Sequence, residues 1–166
     1  NRYALSILYY AEKRILDFFQ RRKDEKNRKI IATFDEYLVK KQETLGFELS
    51  PEQKKAVELI NNGDKTLFLI GYAGTGKSTS SRAILELLEE TMSYDDIMTI
   101  ALSGIASQRI ADTTGYNSST IQSLLMKHKE KDFFPYKAIL LDEASMVNSV
   151  TFYQIISKID DDTIFI

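Results

Sequence analysis

Gly71, Gly76, Lys77 and Ser78 stand in the order G-x-x-x-x-G-K-S, followed by Thr79 and preceded by the apolar run Leu67-Phe68-Leu69-Ile70. That order suits the binding of a chain of phosphates. Glycines let the backbone turn tightly, so that the N–H groups of Gly71, Ala73, Gly74, Thr75 and Gly76 can point at one anion. A helix that starts near Gly76 adds unpaired N–H donors and the positive end of its dipole. Lys77 brings a mobile positive charge to the outer phosphates, and Ser78 offers a hydroxyl to Mg²⁺. The bland alternative is a glycine-rich turn that binds nothing.

A second set of chemical groups lies at Asp142-Glu143, at the end of the apolar run Ala138-Ile139-Leu140-Leu141. Ligands of open α/β sheets bind at the carboxyl ends of the strands. Asp142 is placed to hold Mg²⁺ opposite Ser78, directly or through water. Glu143 is placed to orient an attacking water and take its proton. Without the loop at 71–78, the pair would read equally well as a solvated acidic turn. With it, the chemistry is hydrolysis of a nucleoside triphosphate, by positioning and charge stabilisation. Arg82 and Arg109 are the arginines nearest these groups in sequence. Both read as surface or ion-pair residues, and no arginine stands out as a transition-state finger.

These groups need rigid elements. From Thr66 onward strand and helix patterns alternate, which predicts parallel crossovers and a sheet covered on both faces. Strands are expected at 66–70, 97–101, 137–141 and 163–166, and helices at 77–90, 104–112, 119–127 and 149–158. Ahead of them lie three helices. The first spans residues 3–20, with an apolar stripe of Leu5, Leu8, Ala11, Ile15, Phe18 and Phe19. The second is expected to open with a capping box at Thr33–Glu36 and to end at Gly46. The third opens at Ser50-Pro51-Glu52-Gln53, again in capping-box spacing, and buries Ala56, Val57 and Ile60. Between the first two, the charged run Arg21–Lys29 reads better as a solvated link than as a phosphate-backbone contact.

Composition narrows the function classes. The 166 residues carry a net charge of −2, so the chain as a whole offers no electrostatic case for nucleic acid. Residues 1–45 hold 11 Lys+Arg against 7 Asp+Glu, while the remainder is acidic. Cysteine is absent, which removes disulfides and thiolate metal sites and fits a reducing, cytoplasmic setting. No apolar run approaches the ~20 residues of a membrane span, and no membrane partner is expected. The chain opens on Asn1 and closes within the strand-like run Thr163–Ile166. It is therefore expected to be an excised piece of a longer protein.

Taken together the motifs resemble those of superfamily 1 DNA helicases of the RecD type, over nearly the whole chain. Gly71–Thr79 resembles their first motif. Leu141-Asp142-Glu143-Ala144-Ser145-Met146-Val147 resembles their D-E-A-S-M motif. Leu49-Ser50-Pro51-Glu52-Gln53 resembles a segment whose glutamine recognises adenine, so Gln53 has two readings: adenine contact, or closure of its own capping box. Ala101–Ser107 resembles a segment that grips single-stranded DNA, with Ile105 where that segment is basic. Ser119-Thr120-Ile121-Gln122 resembles the family's T-I-H, with Gln122 in place of His. These resemblances imply DNA contacts at Ser103, Gly104, Thr120 and Gln122; the alternative is two ordinary capped helix starts. Between Leu125 and Tyr136 the family often carries a strand-separating pin. Here the link is short, Phe133 and Phe134 read as packing residues, and His128 is given no catalytic role.

The resemblance thus implies a P-loop NTPase fold of the RecA-like type, truncated, with N-terminal helices over 1–48 and a first motor domain over 49–166. It implies ATP and Mg²⁺ as cofactors, single-stranded DNA as partner, and other repair or recombination subunits as further candidates. The implied activity is an ATP-dependent helicase or translocase, with little turnover from this piece alone. The rivals are a P-loop ATPase that acts on protein partners and a nucleotide-gated binding module.

Overall fold

The computed structural model describes residues 2–46, 48–71 and 76–166. Its centre is a four-stranded parallel sheet: β1 (Ile97–Ala101), β2 (Ser118–Thr120), β3 (Ala138–Leu141) and β4 (Ile164–Phe165), in the spatial order β2-β1-β3-β4. Helices α1 (Arg2–Arg22), α2 (Phe34–Leu45) and α3 (Pro51–Asn61) precede it. Helices α4 (Lys77–Leu88), α5 (Gly104–Thr114), α6 (Ile121–Lys127) and α7 (Ser149–Ile156) complete it.

Side chains alternate across the strands and divide the core in two. Ile97, Ala138, Leu140, Ile164 and Ile166 join Val57, Ile60, Ile84 and Leu88 on one face, beneath α3 and α4. Met98, Ile100, Ile139, Leu141 and Phe165 join Phe18, Ile121, Leu124 and Ile155 on the other, beneath α1, α6 and α7. Every residue of β1 and β3 is buried, as a sheet covered on both sides requires.

Two expected elements change. Residues 66–70 do not form the expected strand. Thr66 makes a single parallel bridge to Phe165, with the Leu67 N–H donating to the Phe165 carbonyl at 3.1 Å. Phe68 and Ile70 are exposed, Ile70 at 94%. The segment lies at the outer edge of the sheet, and the only ladder it can join, β4, is two residues long. In return, the polar run Ser118–Thr120 pairs with β1, register Ala101 with Thr120. Its half-buried Ser and Thr residues carry no apolar alternation by which to expect a strand.

Caps mark where the helices begin and end. Ser50 closes the expected capping box with Gln53, and Gly46 ends α2 in the left-handed conformation. The expected box at Thr33 is absent: its side chain makes no cap bond. With φ −95° and ψ 62° its backbone is not in the extended form that aims a capping oxygen at the first turn. Asn62 and Gly63 stop α3. Gly63 has φ +93°, and a Cβ there would lie 2.1 Å from the Asn27 carbonyl oxygen, so only glycine fits.

The first helix and its charged tail also differ from expectation. Ala11 and Phe18 are buried, but Leu5 and Leu8 at the start of the stripe are exposed. Arg22, expected in a solvated run, is 1% exposed. Its guanidinium lies 5.0 Å from the centre of the Phe18 ring. It donates to Thr66 Oγ1 at 3.2 Å, to the Asp160, Asp161 and Lys65 carbonyls at 3.2, 3.1 and 3.2 Å, and to the Thr163 carbonyl. Burial lowers its pKa, opposed by the Glu25, Asp161 and Asp160 charges. The carbonyls around β4 need donors in a dry place, and a planar five-donor fork at the end of α1 supplies them.

Candidate nucleotide site

All strands are parallel, so their carboxyl ends share one edge. β1 leads there to Ser103 and α5, β2 to Thr120 and α6, and β3 to Asp142. The register Ile100 with Leu141 brings Asp142 beside the end of β1, and its N–H donates to the Ile100 carbonyl at 2.9 Å. Gly71, Lys77, Asp142 and Glu143 line one cleft of about 610 Å³, within the usual range of small-molecule sites. The sequence separates the loop from the acids by more than 60 residues; the sheet brings them together.

On the loop side, Gly76 precedes α4 in the left-handed conformation, φ +82°. Lys77 is the first residue of the helix and donates to the Gly71 carbonyl. Ser78 and Thr79 follow in the first helical turn. Ala73, Gly74 and Thr75 lie outside the described residues. Gln53 ties this turn to α3: its Oε1 accepts from the Ser50 N–H at 2.8 Å and its Nε2 donates to the Gly76 carbonyl at 3.1 Å. Both ends of the amide are engaged, so the capping reading of Gln53 holds in this structure. A Cβ on Gly76 would come within 2.4 Å of that Nε2, so the glycine permits the contact.

On the acid side, Glu143 has φ +54°, and it is the only non-glycine with positive φ among the described residues. Such backbone is uncommon for a side chain of this size and concentrates at functional positions. The strained turn is tied at two points. The Glu143 N–H donates to Asp142 Oδ1 at 3.0 Å, and a short 3₁₀ turn, Ala144–Met146, follows with the Met146 N–H on the Glu143 carbonyl at 2.9 Å. Arg109 from α5 then reaches both acids, 3.2 Å to Asp142 Oδ2 and 2.6 Å to Glu143 Oε1. These ion pairs raise the arginine's pKa, the Glu143 bond most. Arg82 pairs with Glu86 at 2.8 Å on its own helix. Both arginines are thus ion-pair residues, but nothing in the sequence marked the acids as the partners of Arg109.

The donors near Lys77 suit a hard cation. They are carboxylates at Asp142 and Glu143, which line the cleft with Lys77, whereas Ser78 is exposed at the start of α4 and is not among the lining residues; the described residues contain no group of three or more His, Cys, Asp or Glu able to hold a metal. Mg²⁺ takes one or two carboxylates and completes its shell with water and substrate phosphates. The residues therefore fit Mg²⁺ accompanied by a nucleotide.

Ser103 Oγ accepts from the Ala106 N–H at 3.2 Å and caps α5. Thr120 Oγ1 accepts from the Ser123 N–H at 3.1 Å and caps α6. Ser103, Gly104 and Gln122 are exposed on the same edge. In the link after α6, Phe134 is buried, as a packing residue should be, but Phe133 is half exposed. His128 is buried between the Phe134 and Tyr136 rings, with no partner for either ring nitrogen. No described helix is long and apolar enough to cross a membrane.

The profile of the family described as AAA domain matches residues 48–166. The ATP-dependent RecD2 DNA helicase of Deinococcus radiodurans is 28% identical over 131 residues, covering 75% of this chain and 18% of that protein. The ATP-dependent DNA helicase RRM3 of Saccharomyces cerevisiae is 31% identical over 112 residues, 60% of this chain and 16% of that protein. A probable conjugal transfer protein TraA of Sinorhizobium fredii is 34% identical over 103 residues, 61% of this chain and 9% of that protein. The chain spans less than a fifth of the length of each. With a parallel sheet, a phosphate-loop motif and an acid pair on one cleft, the chain belongs to the AAA domain family and is a helicase-type P-loop domain related to RecD-type superfamily 1 enzymes.

Proposed function

We propose that this chain is the nucleotide-hydrolysing part of an ATP-dependent DNA helicase or translocase that moves on single-stranded DNA. One observation carries the reading: Lys77 and Gly71 share a cleft with Asp142 and Glu143. Lys77 leaves the Gly71 carbonyl and pairs with the outer phosphates of ATP. The backbone of the 71–76 turn cradles the phosphates, and Thr79 stands at the start of the helix behind them. Ser78 and Asp142 hold Mg²⁺, which supplies charge neutralisation at the phosphates when bound. Glu143 orients the attacking water and accepts its proton. Gln53 contacts adenine by exchanging its present partners for the base edge, since an amide both donates and accepts. Ser103 and Gly104, with Thr120 and Gln122, hold the backbone of single-stranded DNA at the adjoining helix starts.

Support for a DNA partner comes from the position of those helix starts on the same sheet edge as the acids and from relatives named as DNA helicases. Work in DNA repair or recombination, beside other subunits in the cytoplasm, is the setting this reading favours. The test uses the full natural chain. Glu143→Gln retains ATP binding and loses turnover by about 10²–10⁴, the usual contribution of a general base. Single-stranded DNA accelerates hydrolysis by the unaltered protein. A loss below tenfold, or hydrolysis indifferent to DNA, refutes the corresponding half of the proposal.

A further inference from the structure

We propose that Arg109 is a positioning residue that gates the acid pair: its guanidinium and a divalent cation compete for Asp142 and Glu143, and the placement of α5 decides between them. This inference rests on the reading of the cleft as a nucleotide-hydrolysing site.

The geometry sets up the competition. Arg109 lies 3.2 Å from Asp142 and 2.6 Å from Glu143, so one cation neutralises both groups that the chemistry needs free. A Mg²⁺ ion held by Asp142 would bring its double charge beside the guanidinium. The two cations repel, and occupancy by one weakens the other. Release of the arginine costs little, because its side chain is 58% exposed and water takes over its hydrogen bonds.

The backbone ties decide which part moves. Asp142 belongs to the sheet, through its N–H on Ile100 and through the β1–β3 pairing. Arg109 lies on the exposed side of α5, whose other side packs on the sheet through buried Ile110 and through Ser107 Oγ, 2.9 Å from Ser118 Oγ of β2. Five residues, or about 8 Å of helix axis, separate Gly104 at the start of α5 from Arg109. A ligand on the Ser103–Gly104 end bears on the helix that carries Arg109, and a small change in its placement lets the exposed side chain leave the acids, which stay on the sheet. Arg109 therefore links the edge assigned to DNA with the acids assigned to the metal. The bound conformer has to interact differently with that ligand for any shift to occur, and a backbone phosphate on the exposed N–H groups of α5 supplies such a difference.

The experiment uses the full natural chain as the unaltered protein, Arg109→Gln and Arg109→Lys. Binding of Mn²⁺, a paramagnetic stand-in for Mg²⁺, is read by electron paramagnetic resonance in the presence of ADP, with and without oligo-dT. ATP hydrolysis is read alongside. The expected result without DNA is Mn²⁺ binding tighter in Arg109→Gln by about three- to tenfold, as loss of one neighbouring like charge at a partly exposed site allows. Oligo-dT tightens Mn²⁺ binding in the unaltered protein and not in Arg109→Gln. Arg109→Lys, which keeps the charge and loses the fork, falls between. The DNA-free hydrolysis of Arg109→Gln rises, and its stimulation by DNA shrinks. Unchanged Mn²⁺ affinity in Arg109→Gln, or hydrolysis reduced equally with and without DNA, overturns the gate and leaves the nucleotide reading standing. An unaltered protein that binds neither ADP nor Mn²⁺ overturns both.

Discussion

Arg22 and Arg109 both reach across elements in this molecule, and their surroundings make them opposites. Arg22, at the end of α1, is 1% exposed and spends its donors on Thr66 and on carbonyls beside β4. Arg109, in the middle of α5, is mostly exposed and pairs with two carboxylates at the other end of the sheet. The partners of Arg22 are neutral, and its bonds to the Lys65 and Thr163 carbonyls are buried. The Thr163 carbonyl is buried and takes its bond from Arg22, so the contact holds for as long as the fold does. The partners of Arg109 are charged and wet, and a metal ion can take its place. A guanidinium among dry carbonyls is a fastener, whereas one between solvated acids is exchangeable.

Three measurements sharpen or break that contrast. The largest effect is expected at the fastener. Arg22→Ala removes the donor of the buried Thr163 carbonyl and should lower the free energy of unfolding by about 1–3 kcal/mol, the cost of leaving a buried polar group unsatisfied. Chemical denaturation reads this directly, and Arg22→Lys should recover only part of the loss because an ammonium lacks the planar fork. A cost under about 1 kcal/mol, the range of an ordinary exposed pair, would erase the distinction.

A buried group with no partners sits between the extremes. His128 is held neutral: burial lowers its pKa, and Lys131, Lys127 and Lys158 lower it further. The folded protein therefore binds this proton less readily than the unfolded chain does. Its contribution to stability is complete above the ordinary imidazole pKa of about 6.5 and declines as the pH falls below it. His128→Phe, which keeps the ring between Phe134 and Tyr136, should lose less melting temperature than the unaltered protein between pH 7 and pH 5, the sequence of events being set by that ordinary value. Parallel melting curves would contradict it. The smallest effect is expected at Arg109. Arg109→Gln should change stability by less than about 1 kcal/mol, since exposed ion pairs contribute little. A larger loss, seen in the same denaturation series, would make Arg109 a second fastener.

Much of the candidate site is legible along the chain because its parts are local. The helix that opens at Lys77, the Ser50–Gln53 box and the strand that delivers Asp142 each depend on a few consecutive residues. Local rules fail where distant backbone decides. Leu67–Ile70 has the composition of a buried strand, yet lies at a sheet edge with almost nothing to pair with. Arg22 looks solvated within Arg21–Lys29 because the carbonyls it meets lie more than 130 residues further on, apart from those near Lys65. Glu143 shows no sign of its left-handed backbone, since glutamate is not a residue chosen for that conformation.

By itself the sequence determined which residues bring an ammonium, hydroxyls and carboxylates, and that alternating strands and helices would present them. It did so because motif spacing and apolar periodicity are properties of short stretches. Only the tertiary structure decided that Arg109 would hold both acids, that Gln53 would hold the Gly76 carbonyl and that Arg22 would close the β4 edge. Each of these contacts joins segments whose separation in sequence carries no record of their meeting, and parallel crossovers bring them together.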